Sequence, residues 1–244
     1  MQAVIFDFIV NPGKLSNYCK LVPQKSLLNK LYTTFKIYLY CTAFMLFGVL
    51  MRFIVDNYLI KYWGVSIQDD FKHNHKAIWH DYSKIHITIL SVLIAPVWEE
   101  FVFRLPLIVN RLNFSIWIFI SLIYFSGTIG DFNFSSAEEN TRAGMALIIS
   151  ILFWRFTPDA YLRRIKNQYY NILIYFSIIS FSLIHISNYA PIRWNVLLFY
   201  PVYVLPQLFY AIGLSYLRVK YSSMLWPILL HMIINGVPAI LRSL

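Results

Sequence analysis

Apolar runs of membrane-crossing length dominate this chain and leave few folds open to it. A helix needs about 20 apolar residues to cross a hydrocarbon core about 30 Å thick. Segments 35–55, 85–109, 114–130, 143–156, 171–186, 196–217 and 224–241 approach that requirement, the fourth and fifth being short. Charged residues make up 13% of the 244 residues, against about 25% in an ordinary soluble domain. The expected fold class is therefore all-α, a polytopic transmembrane helical bundle of about seven spans with its site in a cavity between spans.

Charge in the connecting segments gives an orientation. Lys14, Lys20, Lys25 and Lys30 precede the first span, with Lys36 at its edge; Arg155, Arg163, Arg164 and Lys166 precede the fifth. Between them come a balanced linker, one with Arg111 and an acidic one; the later linkers carry Arg193, then Arg218 and Lys220. This alternation places the N-terminus in the cytoplasm. For such a multi-pass protein a prokaryotic inner or plasma membrane is the default expectation. The net charge of +10 is spread over these short stretches, so it reads as a topology signal and not as a nucleic-acid surface. Cys19 lies in a basic segment and Cys41 in an apolar span, which speaks against a disulfide or a zinc–cysteine site. No small-residue cleavage site follows the first span, so no cleaved signal peptide is expected.

Within the apolar runs a few polar residues stand out. Glu99 and Glu100 sit side by side in Trp98-Glu99-Glu100-Phe101-Val102-Phe103-Arg104. A buried ionised group in lipid is costly unless paired or facing a wet cavity, so such groups read as functional. Glu100 and Arg104 are i and i+4 with the acid N-terminal, the favoured orientation for an ion pair. Glu99 points about 100° away and lacks that partner, which leaves it available as a general base. His185 follows Phe181 by four residues, and Asn235 follows His231 by four, so each pair shares one helix face. A lone pair of this kind would serve as interhelical hydrogen-bond glue or a satisfied buried histidine. A carboxylate, two imidazoles and an amide in one small chain are equipment for moving a water onto a carbonyl.

Glu-Glu-x-x-x-Arg at 99–104, Phe-x-x-x-His at 181–185 and His-x-x-x-Asn at 231–235 together resemble the three-part signature of the CPBP family, the CAAX proteases and bacteriocin-processing (Abi) enzymes. Ala95-Pro96 before the Glu pair and Phe103-Arg104 after it are also similar to that family. The resemblance covers about 95–235 and divides the chain into an N-terminal part, 1–84, with a basic segment, one span and a polar loop, and a protease core, 85–244. It implies an intramembrane endopeptidase acting on a peptide or protein substrate at the lipid membrane. In that reading Glu99 activates water with help from His185, His231 and Asn235 stabilise the oxyanion, and Glu100 with Arg104 supports them. Leu105-Pro106 replaces the glycine the family usually places after the Arg, which predicts a bend there. The segment between Glu99 and His185 is longer than usual and holds two extra apolar stretches, an inserted hairpin that preserves crossing parity.

Helix rise sets a depth problem. Glu99 lies about 21 Å along a straight helix from Ile85, and His185 about 21 Å along one from Asn171 entering from the opposite face. In a core of about 30 Å their heights then differ by about 12 Å, too far to share a water. Either the second span breaks or the span ends differ; the sequence favours a break at Pro96.

No cofactor is required by this chemistry. Zinc is the possible exception, with Glu99, His185 and His231 as its ligands, but a His-Glu-x-x-His helix is missing. His73, His75, His80 and Asp81 cluster in the loop after the first span, where a solvated connector is the expected role. Two other functions fit the same residues less well. A non-proteolytic scaffold or immunity protein has no need of all four of Glu99, His185, His231 and Asn235. A proton-coupled transporter would be favoured by inverted repeats, and none is evident.

Overall fold

The structure, a computed structural model, describes residues 7–13, 26–73, 83–126 and 137–241. Its main helices are α1 (Leu27–Trp63), α2 (Lys84–Leu107), α3 (Arg111–Phe125), α4 (Ala137–Phe156), α5 (Asp159–Tyr189), α6 (Leu205–Tyr221) and α7 (Leu225–Leu241). Among the described residues there is no strand, and the chain is the helical bundle expected of it. By length and composition α1, α2 and α5 can each cross a membrane. Trp194–Tyr203 joined to α6 through a 44° bend makes a fourth, while α3 and α7 are apolar but shorter. Each of the seven segments expected to span falls largely on helix in its described residues, but the ends differ from the sequence reading. The first runs 37 residues, about 55 Å at 1.5 Å per residue, well beyond the bilayer core. The fifth begins at Asp159, some way before residue 171, and the sixth is split by the bend.

Local chemistry sets these ends. Ser26 caps α1, its hydroxyl accepting from the Asn29 N–H. Gly64 closes the helix at φ +64°, a left-handed position suited to glycine, and the Gly64 and Val65 N–H groups return to the Ile60 and Leu59 carbonyls. Asn110 caps α3 by accepting from Asn113 N–H. Glu138 and Glu139 lie in the first turn of α4, where the helix dipole favours negative charge.

α1 lies against α6, α5 against α6, α6 against α7, and α3 against α4. The last contact is the pair of extra apolar segments, joined by a hydrogen bond from Ser150 Oγ to Ser115 O. A central core gathers Ile37, Phe103, Ile174, Phe181, Leu214 and Leu230. A second, smaller core of Leu59, Ile67, Tyr189, Tyr200 and Tyr203 sits at one end. Large apolar side chains remain exposed along α1 and α4, among them Phe53, Leu46, Ile148 and Ile151, as lipid-facing surfaces require.

Packing of α1 on α6 depends on small residues. A Cβ at Gly213 would lie 2.6 Å from Cys41 Sγ and 2.8 Å from Ile37 Cγ2. Gly213→Leu is therefore expected to force the two helices apart and cost about 1–3 kcal/mol, seen as a lower unfolding temperature in detergent. An unchanged unfolding temperature would show that the helices do not meet there.

Candidate active site

Two prolines shape the helix that carries the carboxylates. Proline removes an N–H and leaves a carbonyl one turn back without its donor. The sequence favoured a break at Pro96; the structure instead keeps α2 continuous and widens Leu90–Ile94 into a π-helical turn. There Ala95 N–H bonds Leu90 O, one residue beyond its α-helical partner Ser91. Pro96 has no N–H to replace it, and the freed Ser91 carbonyl accepts from Asn235 Nδ2 on α7 at 2.8 Å. Glu99 Oε2 and His185 Nε2 nonetheless lie 3.8 Å apart with α2 unbroken at Pro96, so the span ends assumed in the depth argument, and not the continuity of the helix, were at fault.

At Pro106 the bend predicted from Leu105-Pro106 takes the form of a tight 3₁₀ turn, Leu105–Leu107, directly after Arg104. The carbonyls left free near it are capped by side chains from other helices. Trp117 Nε1 donates to Val102 O at 2.7 Å and Ser177 Oγ to Phe103 O at 2.6 Å. Buried Arg218 donates from Nε to Arg104 O at 3.0 Å and from Nη2 to Leu105 O at 3.3 Å. Tyr170 OH donates to Leu107 O at 2.8 Å. A cation at a helix C-terminus also complements its dipole. Arg218→Leu strips the buried Arg104 carbonyl of its donor and leaves Leu105 O with the Ile108 N–H alone, and is expected to cost roughly 1–3 kcal/mol, read as a fall in unfolding temperature. No fall would mean that other donors take over.

This braced helix presents the Glu pair to α5 and α7. Glu100 and Arg104 have no exposed surface, and Arg104 Nε lies 3.5 Å from Glu100 Oε2. The Arg104 guanidinium also sits 3.8 Å over the Phe181 ring. Glu100 Oε1 takes a second partner, His231 Nδ1, at 2.8 Å. Glu99 Oε2 lies 3.8 Å from His185 Nε2 and 3.8 Å from His231 Nε2. His185 Nδ1 is 2.7 Å from Phe181 O. A carbonyl can only accept, so Nδ1 of His185 carries the proton and Nε2 of the neutral ring presents a lone pair to Glu99. The Phe181 ring forms one wall, with centroids 4.8 Å from His185 and 5.6 Å from His231.

The structure thus brings Glu99, Glu100, Arg104, His185 and His231 into one cluster. Asn235 shares α7 with His231 but is engaged at the Ser91 carbonyl. The Glu100–His231 bond and the Arg218 brace escape sequence reasoning, whereas Phe181 was marked by its spacing from His185. Pro106 was the brace's only local signal, since a proline announces a carbonyl that needs an outside donor.

The possible zinc ligands meet poorly as a metal site. Two ligands on a tetrahedral zinc stand about 3.3 Å apart, less than the 3.8 Å separating Glu99 Oε2 from each imidazole. Among the described residues no group of three or more His, Cys, Asp or Glu is placed to hold a metal ion. His75, His80 and Asp81 of the loop cluster, like Cys19, lie outside the described residues.

A helical membrane bundle with carboxylates and imidazoles converging in its interior has the architecture of an intramembrane hydrolase. The family model of the type II CAAX prenyl endopeptidase Rce1-like proteins matches residues 82–237. The chain belongs to that family of membrane-embedded proteases. Neither the curated proteins nor the solved structures contain a match to it.

Proposed function

We propose that this protein hydrolyses a peptide bond at the membrane by a water that Glu99 activates. The observation that carries the reading is the placement of Glu99 Oε2 at 3.8 Å from two imidazole nitrogens. That spacing is too long for a direct hydrogen bond and short enough for one water to touch both sides. Glu99 Oε2 is buried and has no hydrogen-bond partner among the described residues.

The roles follow from the hydrogen bonds. Glu99 takes one proton as the water oxygen attacks the carbonyl carbon. His185, held by Phe181 O, accepts the water's other hydrogen at Nε2 and so orients it. His231 has a carboxylate at Nδ1, which compensates a second proton on the ring where a carbonyl would not. In that form its Nε2–H donates to the oxyanion. One hydrogen of Asn235 Nδ2 is engaged by Ser91 O; the other is the second oxyanion donor. The tetrahedral intermediate collapses as Glu99 returns its proton to the leaving amine, which restores the starting state. Donors aimed at a developing oxyanion are worth about 3–4 kcal/mol each.

Family membership favours a prenylated CAAX tail as substrate, with a peptide precursor or another membrane protein as the other classes. The site would face the bilayer interior of a prokaryotic inner or plasma membrane, with the N-terminus in the cytoplasm. The test is a three-substrate comparison in liposomes: a prenylated CAAX peptide, the same peptide without its prenyl group, and a membrane peptide lacking the C-terminal motif. Removal of the last three residues from the first alone supports CAAX processing. Cleavage of all three at comparable rates would contradict it.

A further inference from the structure

We infer that the end of α1 and the segment after it, all outside the family match, are a fixture that positions His185. The inference rests on the reading of His185 as a site residue.

The long first helix carries its last turns past the bundle, and Gly64 then turns the chain back toward the loop that follows His185. That loop starts as a 3₁₀ turn, His185–Tyr189, so Tyr189 and His185 belong to one short rigid unit. Tyr189 is almost fully buried, its ring centroid 5.1 Å from that of Phe71. Its hydroxyl accepts from Arg52 Nη1 at 2.8 Å and donates to Tyr203 O at 3.1 Å.

Asp56 ties the same pieces together. It accepts from Tyr203 OH at 2.6 Å, from Ser66 Oγ at 2.8 Å and from Gln68 N–H at 3.2 Å. Further along, Arg193 makes a two-pronged contact with Asp70, Nε at 2.6 Å and Nη2 at 2.8 Å. Bidentate guanidinium–carboxylate pairs fix geometry as well as adding energy. The segment carrying His185 is thus held by Arg52, Asp56 and Asp70, none of which lies in residues 82–237. His231 needs no such fixture, because Glu100 holds it from within the bundle. In this molecule Arg52, Asp56 and Asp70 are positioning residues for His185.

The test is the rate at which diethyl pyrocarbonate modifies each histidine of the detergent-solubilised full chain, followed by mass spectrometry. Asp70→Ala should raise the rate at His185 several-fold and leave His231 unchanged. The charge exchange Asp70→Arg with Arg193→Asp should restore the His185 rate. Where a prenylated CAAX peptide is cleaved, kcat should fall in Asp70→Ala with KM unchanged. Equal His185 rates in wild type and Asp70→Ala would overturn the inference, and so would an equal rise at both histidines, which marks general loosening. Failure of the wild type to cleave would count against the proteolytic reading alone, since the labelling still decides the fixture.

Discussion

Glu99→Gln should lose at least 10²-fold in cleavage rate and fold as the wild type does. General bases are commonly worth about 10²–10⁴-fold. The amide keeps the size of the carboxylate but cannot accept a proton from water. The fold should change little, because Glu99 Oε2 makes no direct hydrogen bond among the described residues; its nearest ring nitrogens are 3.8 Å away. An unfolding temperature within a degree or two of the wild type, with activity lost, is the expected pair of results. Lost activity together with a large fall in stability would instead give Glu99 a structural role.

Glu100→Ala should do the reverse and unsettle the fold first. Glu100 is the counter-charge of a guanidinium with no exposed surface and the acceptor for His231 Nδ1. Breaking a buried pair by removing one partner costs about 3–5 kcal/mol, because an uncompensated charge remains. The double variant Glu100→Ala, Arg104→Met removes both charges and should recover most of that stability. It should stay inactive, since His231 Nδ1 still lacks its carboxylate partner. Thermal unfolding and peptide cleavage on the three proteins separate these effects. A Glu100→Ala protein as stable as the wild type would show that Arg104 finds another partner.

The contrast between the two glutamates was readable from helix geometry alone. Spacing of four places Glu100 against Arg104 and turns Glu99 away, and the rarity of charge in apolar runs drew attention to both. The convergence of Glu99 with His185 and His231 is a tertiary fact that no spacing contains. Span ends were the weakest reading, because hydropathy marks where lipid begins and not where a helix does. α1 and α5 both continue through polar residues, so heights counted from hydropathy-based span ends were not the true ones. Pro96 misled for a related reason. A proline deletes one donor, and the helix answered with a π turn and a borrowed amide from Asn235 in place of a break. The polar stretch after α1 read as a connector because its charges balance. Its partners Tyr189 and Arg193 are more than a hundred residues away along the chain.

One assay tests the central claim most directly. Wild type and Glu99→Gln are incubated side by side with a prenylated CAAX peptide in liposomes, with and without a chelator, and the products are weighed by mass spectrometry. The account predicts cleavage by the wild type in both conditions and none by Glu99→Gln. Equal cleavage by the two proteins would contradict it.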